Sequence, residues 1–90
     1  MKEKDDILSR LRKIEGQVKG IHKMISDDRN CFEVMTQLVA VSRAIDKVSF
    51  IVASHSMKDC VTQSVASGDN PSEALDEALK LIMTLARQGA

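Results

Sequence analysis

The chain has 90 residues, with 13 Lys plus Arg against 13 Asp plus Glu, so its formal net charge is zero. That length predicts one domain, residues 1–90, about 30 Å across, and the charge balance withholds the basic excess that usually marks nucleic-acid binding. Trp and Tyr are absent and Pro occurs once, a composition that predicts an all-α chain; with no secretory start and no apolar run long enough to span a membrane, a cytoplasmic protein is expected.

The first helix is predicted to start after Asp5 or Asp6 and carries Ile7, Leu11, Ile14, Val18, Ile21 and Ile25 at alternating spacings of four and three, a heptad seam. Its other side holds Arg10, Arg12, Lys13, Lys19 and Lys23 against Glu15 alone, so the neutral chain is electrically polarised. Gly16 and Gly20, one turn apart, are expected where another backbone approaches closely. Asp27-Asp28-Arg29 reads as a short polar connection.

Asn30, with Glu33 three residues on, predicts a capping-box start for the second helix. Cys31 then falls in its first turn, at the positive end of the helix dipole, where thiolates are favoured. Val34, Leu38, Val41, Ile45, Val48 and Val52 repeat the seam, and Met35, Val39, Phe50, Ile51 and Met57 widen the apolar surface. A helix from Cys31 to about Val65 would be about 50 Å long, too long for a compact monomer to cover. Ser67-Gly68-Asp69-Asn70-Pro71 predicts a break, with Asn70 as cap, Pro71 at the first helical position and Glu73 closing a second capping box. Leu75, Ala78, Leu79, Ile82, Leu85 and Ala86 give the third helix one apolar face.

Cys31 and Cys60 are the only cysteines. Along one helix their Cα atoms would lie about 43 Å apart, whereas a disulfide needs them within about 7 Å. Either the two thiols are unrelated, or an antiparallel partner brings Cys31 of one chain beside Cys60 of another, with a two-fold axis near Ile45 and Asp46. In a reducing compartment such cysteines point to thiol chemistry, metal chemistry or core packing rather than a structural disulfide. No pocket signature or cluster of polar groups suggests an enzyme. Met35, Met57 and Met83 fall on apolar faces and read as core-filling, and His22 reads as structural or solvent-exposed.

The segment RLRKIEGQVKGIHKMI at residues 10–25, followed by Cys31, QLVAVSRAIDKV at 37–48 and Cys60, resembles the copper-sensitive operon repressor family, CsoR. The resemblance implies a three-helix protomer with one long central helix, an antiparallel dimer and a dimer-of-dimers tetramer that represses transcription without a helix-turn-helix motif. By position it places Arg10, Lys13 and Gln17 on the first helix, and Arg43 and Lys47 on the second, at the surface facing operator double-stranded DNA. Several such basic surfaces in one oligomer could neutralise many phosphates despite zero net charge per chain.

Copper-sensing members carry a histidine four residues before the second cysteine, which joins two thiolates around Cu(I). Here that position is Ser56. His55 stands five residues before Cys60, about 140° away around a regular helix, against about 40° for a residue four before. The pattern is therefore more similar to the CsoR-like sulfurtransferase repressor subgroup, CstR, which implies sensing of persulfide or polysulfide without a cofactor. Cys31 would attack the sulfur donor first, and Cys60 of the neighbouring chain would resolve the persulfide into a disulfide or longer bridge. The alternative is a repressor that binds Cu(I) through Cys31 and Cys60, with or without His55.

Overall fold

The computed structural model describes residues 3–88; positions 1, 2, 89 and 90 of the expected domain lie outside that range. Its elements are α1 (Lys4–Ser26), α2 (Cys31–Ile51), a π-helical turn (Val52–Ser56), α3 (Met57–Ala66) and α4 (Pro71–Gln88). No strand occurs among the described residues. The all-α, three-helix expectation therefore stands, with α2, the π turn and α3 forming the long central run. Lys4–Val48 and the residues from Ser49 onward are two compact units.

In the first unit the heptad row of α1 meets α2. Ile14, Ile21 and Val41 form a buried cluster, with Val34, Ala44 and Val48 packed against it, and Ile7 is buried on the same row. Only this half of the seam is covered. Leu11, Val18 and Ile25 remain 37%, 50% and 57% exposed, because a seven-residue repeat supplies two rows and α2 covers one. Neither Gly16 nor Gly20 has an atom within 4 Å of where a Cβ would stand, so the close backbone approach expected there does not occur among the described residues.

The ends of α1 and α2 correct two details. The first helix begins at Lys4, and Asp5 and Asp6 lie in its first turn rather than before it. Carboxylates there face the positive end of the helix dipole, and Asp6 is also held by Arg10, one turn on, at 3.2 Å. At the other end the chain turns with Asp28 at φ 53°, while the Asp28 and Arg29 amides donate to the Ile25 and Met24 carbonyls at 3.2 and 2.9 Å, a Schellman closure. Asn30 caps α2 as expected, its Oδ1 accepting from the Phe32 amide at 2.8 Å. Glu33 does not complete a capping box. Its carboxylate binds the Arg29 guanidinium at 2.8 Å, a charge-assisted bond that outcompetes the neutral backbone amide.

The second unit departs from the regular helix expected through residue 65. Val52–Ser56 forms a π turn, with Ser56 at φ −123° and ψ −9° on its far side. A π turn accommodates one extra residue and carries no periodic signature; Val52, Ser54, His55 and Ser56 are all weaker helix formers than Ala, so α geometry is weakly enforced there. After α3 the chain closes a second Schellman motif, with Gly68 at φ 103° and the Gly68 and Asp69 amides donating to the Val65 and Ser64 carbonyls, each at 3.1 Å. That positive φ is why glycine stands at 68. Asn70 Oδ1 then accepts from the Ser72 and Glu73 amides at 2.9 and 3.4 Å, starting α4 with Pro71 at its first position. Ala78 and Ile51 are buried in this unit.

Candidate functional site

Cys31 opens α2 and is exposed, Cys60 lies within α3 and is half-buried, and both are free thiols. Every residue between them is helical. Among the described residues, no group of three or more His, Cys, Asp or Glu side chains is placed to hold a metal within the chain.

Cys60 lines a groove of about 510 Å³ between α3 and α4, together with Met57 and Ser64 from α3, Asp69 from the connection, and Glu73 and Glu77 from α4. Residues 57, 60 and 64 recur at helical spacing and share one face, and Glu73 and Glu77 do the same on α4. The Schellman turn at Gly68 folds α4 back so that its acidic edge faces the thiol. Ser64 Oγ donates to the Asp69 carboxylate, which holds the connection against α3. The groove thus joins two soft sulfur atoms to three hard carboxylates.

His55 lies on the π turn, is exposed, and does not line the groove that Cys60 lines. Ser56 is 0% exposed, and its Oγ has no hydrogen-bond partner among the described residues. His22 is exposed on α1, as expected.

Three of the expected DNA-facing residues lie together. Arg10, Lys13 and Gln17 border a pocket of about 280 Å³ with Asp6, Ile14 and Ala44. Arg43 and Lys47, one turn apart on α2 in the same unit, are exposed outside that pocket. Sequence reading missed Asp6, an acid inside this basic group; its spacing of four from Arg10 was the available signal. It also missed the carboxylates beside Cys60, which come from a separate segment.

Over residues 3–84 the sequence matches the family described as metal-sensitive transcriptional repressor. It is 40% identical over 86 residues to the copper-sensing transcriptional repressor RicR of Mycobacterium tuberculosis, covering 94% of this chain and 90% of that one. To the copper-sensing transcriptional repressor CsoR of Bacillus subtilis it is 40% identical over 78 residues, 87% of this chain and 76% of that one. Among solved structures, the Cu(I) complex of the copper-sensing repressor CsoR from Geobacillus thermodenitrificans superposes with a TM-score of 0.73 at 30% identity, covering 96% of this chain and 88% of that one. These relatives are repressors rather than enzymes, in line with the sequence reading. The expectation of a protein without a cofactor is overturned, since the family is metal-sensitive and these relatives sense copper. The donors present agree with that correction: thiol and thioether sulfur are soft ligands suited to Cu(I). The chain belongs to the CsoR family of metal-sensitive transcriptional repressors.

Proposed function

We propose that the protein is a Cu(I)-responsive repressor that binds operator DNA as an oligomer of antiparallel pairs, with Cys31 of one protomer and Cys60 of its partner as shared ligands. The observation that carries this reading is the pair of free thiols, Cys31 opening α2 and Cys60 within α3, in a chain 40% identical to a copper-sensing repressor. When bound, Cu(I) supplies a soft Lewis acid that takes thiolate sulfur in preference to oxygen. Each thiol loses its proton on ligation. Because the two thiols stand on different protomers, their joint ligation favours one arrangement of the pair over another.

The pairing is supported by the apolar side chains that α2 leaves uncovered. Phe32 is 79% exposed, and Met35, Leu38, Val39, Ile45 and Phe50 are exposed as well; so large an apolar surface calls for a partner. Arg10, Lys13, Gln17, Arg43 and Lys47 serve in this reading as the DNA contacts, each cation on a phosphate steepening the salt dependence by about 0.9. Coupling between the two sites is reciprocal, so operator DNA weakens Cu(I) binding by the factor by which Cu(I) weakens operator binding.

The test is Cu(I) competition against a tight chelator, together with release of an operator recovered by in vitro selection. Loss of both in Cys31→Ala and in Cys60→Ala is expected. Full competition by either variant refutes the reading.

One observation favours a second reading. Position 56, where copper-sensing members carry histidine, holds a buried serine, and the resemblance to the persulfide-sensing CstR subgroup rests on that missing histidine. Here the Cys31 thiolate attacks a polysulfide sulfur and expels the shortened polysulfide; the partner's Cys60 thiolate then attacks the Cys31 persulfide, expels hydrosulfide and leaves an interchain disulfide. Covalent dimers formed with polysulfide but not peroxide, and absent in either cysteine variant, would support it. Unchanged monomer mass after both treatments eliminates it.

A further inference from the structure

Two thiolates leave a Cu(I) ion short of the third ligand that a histidine four residues before the second cysteine supplies in copper-sensing members. The residue at that position here is Ser56, a hard hydroxyl with a fully buried side chain. The neighbouring His55 is exposed and outside the groove that holds Cys60. We infer that Met57 is that third ligand, its thioether completing an all-sulfur set with Cys60 beside it and Cys31 of the partner protomer; the inference rests on the Cu(I) reading above.

Met57 and Cys60 are three residues apart on α3 and share one wall of the groove of about 510 Å³. Residues at this spacing on a helix have Cβ atoms about 5–6 Å apart, close enough for both flexible side chains to serve one ion. Met57 is half-buried and absent from the buried core, which in this unit includes Ile51 and Ala78. The core-filling role expected from its apolar face is thus only part of its setting. Among the other described methionines, Met83 is exposed on α4 and does not line the groove, whereas Met35, one turn after Cys31 on α2 and exposed, is the rival thioether on the partner's side; loss of affinity and of the selenium neighbour in Met35→Leu but not in Met57→Leu overturns the inference.

The other polar side chains of the groove are the wrong class of donor. Asp69, Glu73 and Glu77 are carboxylates and Ser64 is a hydroxyl, all oxygen donors suited to harder cations, whereas thiolate and thioether select Cu(I). The carboxylates contribute a negative field that favours a cation entering the groove. Selection among the donors falls to sulfur.

Two measurements on the full chain test the inference. In the first, Cu(I) affinity is measured by chelator competition for wild type, Met57→Leu, Met35→Leu, His55→Ala and Cys60→Ala. Met57→Leu conserves volume and preserves the fold. It is expected to weaken Cu(I) binding on the order of tenfold or more, since losing even an outer-shell partner costs 10–100-fold, while His55→Ala binds as wild type. In the second, X-ray absorption at the copper edge is recorded on Cu(I)-loaded selenomethionine protein. A selenium neighbour is expected in wild type and absent in Met57→Leu. Unchanged affinity in Met57→Leu with no selenium neighbour overturns the inference and leaves the Cys31/Cys60 reading intact, provided Cys60→Ala abolishes binding. Retained tight binding in Cys60→Ala removes both.

Discussion

Among the described residues, Asp6 is the acid bordering the Arg10, Lys13 and Gln17 group, which makes Asp6→Asn a sharp test of where DNA binds. The Asp6 carboxylate holds the Arg10 guanidinium at 3.2 Å, with both side chains 40–48% exposed. A pair this exposed, four residues apart on a helix, stabilises by only about 0.3–0.5 kcal/mol, so Asp6→Asn is expected to fold normally. On DNA the effect is larger. If the variant frees each Arg10 for one phosphate, the slope of log affinity against log salt steepens by about 0.9 per contributing chain, and at about 0.1 M salt one added contact strengthens binding roughly eightfold. Fluorescence anisotropy on a labelled operator, titrated across salt concentrations for wild type, Asp6→Asn and Arg10→Ala, measures both quantities. Arg10→Ala should weaken binding and flatten the slope by a similar amount. Parallel salt lines and equal affinities for all three proteins would refute the placement of DNA on this face of α1.

Ile14→Ala empties the centre of the Ile14, Ile21 and Val41 cluster, and urea unfolding at fixed protomer concentration should show a loss of about 2–5 kcal/mol; a loss below about 1 kcal/mol would mean the cluster does not hold α1 on α2. Ser56→Ala removes a buried hydroxyl with no partner, so it should raise the thermal midpoint by relieving part of a penalty of about 1–3 kcal/mol; a lowered midpoint would show that the hydroxyl has a partner in the oligomer. Asn70→Ala deletes the side chain that caps α4, and a loss of about 1 kcal/mol is expected in the same urea assay.

What was legible in the sequence followed from period and from short-range chemistry. The isoleucines at 7, 14 and 21 recur every seven residues, and the structure buries that row. Asn30 and Asn70 were readable as caps because a cap acts on amides two or three residues away, and both do so. Glu33 was misread because the capping box is a competition: Arg29, just before the cap, presents a stronger partner for the same carboxylate. The π turn at Val52–Ser56 left no trace in an apolar pattern that tolerates a shift of one residue. The site was half legible. Cys31 and Cys60 announce themselves, but the groove around Cys60 draws Asp69, Glu73 and Glu77 from beyond a turn whose geometry depends on Gly68. Sequence reading also gave too much weight to the missing histidine at 56, and so turned away from metal in a family whose members sense it.

Position 56 shows why a missing ligand residue need not mean a missing ligand. The Ser56 side chain is fully enclosed, its hydroxyl unpartnered, at a backbone conformation outside the α region. An imidazole is several times the volume of that hydroxyl, so a histidine placed there must displace neighbours in a closely packed interior. A single Ser56→His exchange is therefore a poor route to a copper-sensing ligand set in this chain. A thioether one residue later meets neither obstacle: Met57 begins α3 on the open groove that already contains the Cys60 thiol, and its flexible side chain adapts to an ion without repacking the core. The enclosed Ser56 and the groove-lining Met57 are then two consequences of one local structure, in which the last residue of the π turn faces inward and the first residue of the next helix lines the groove.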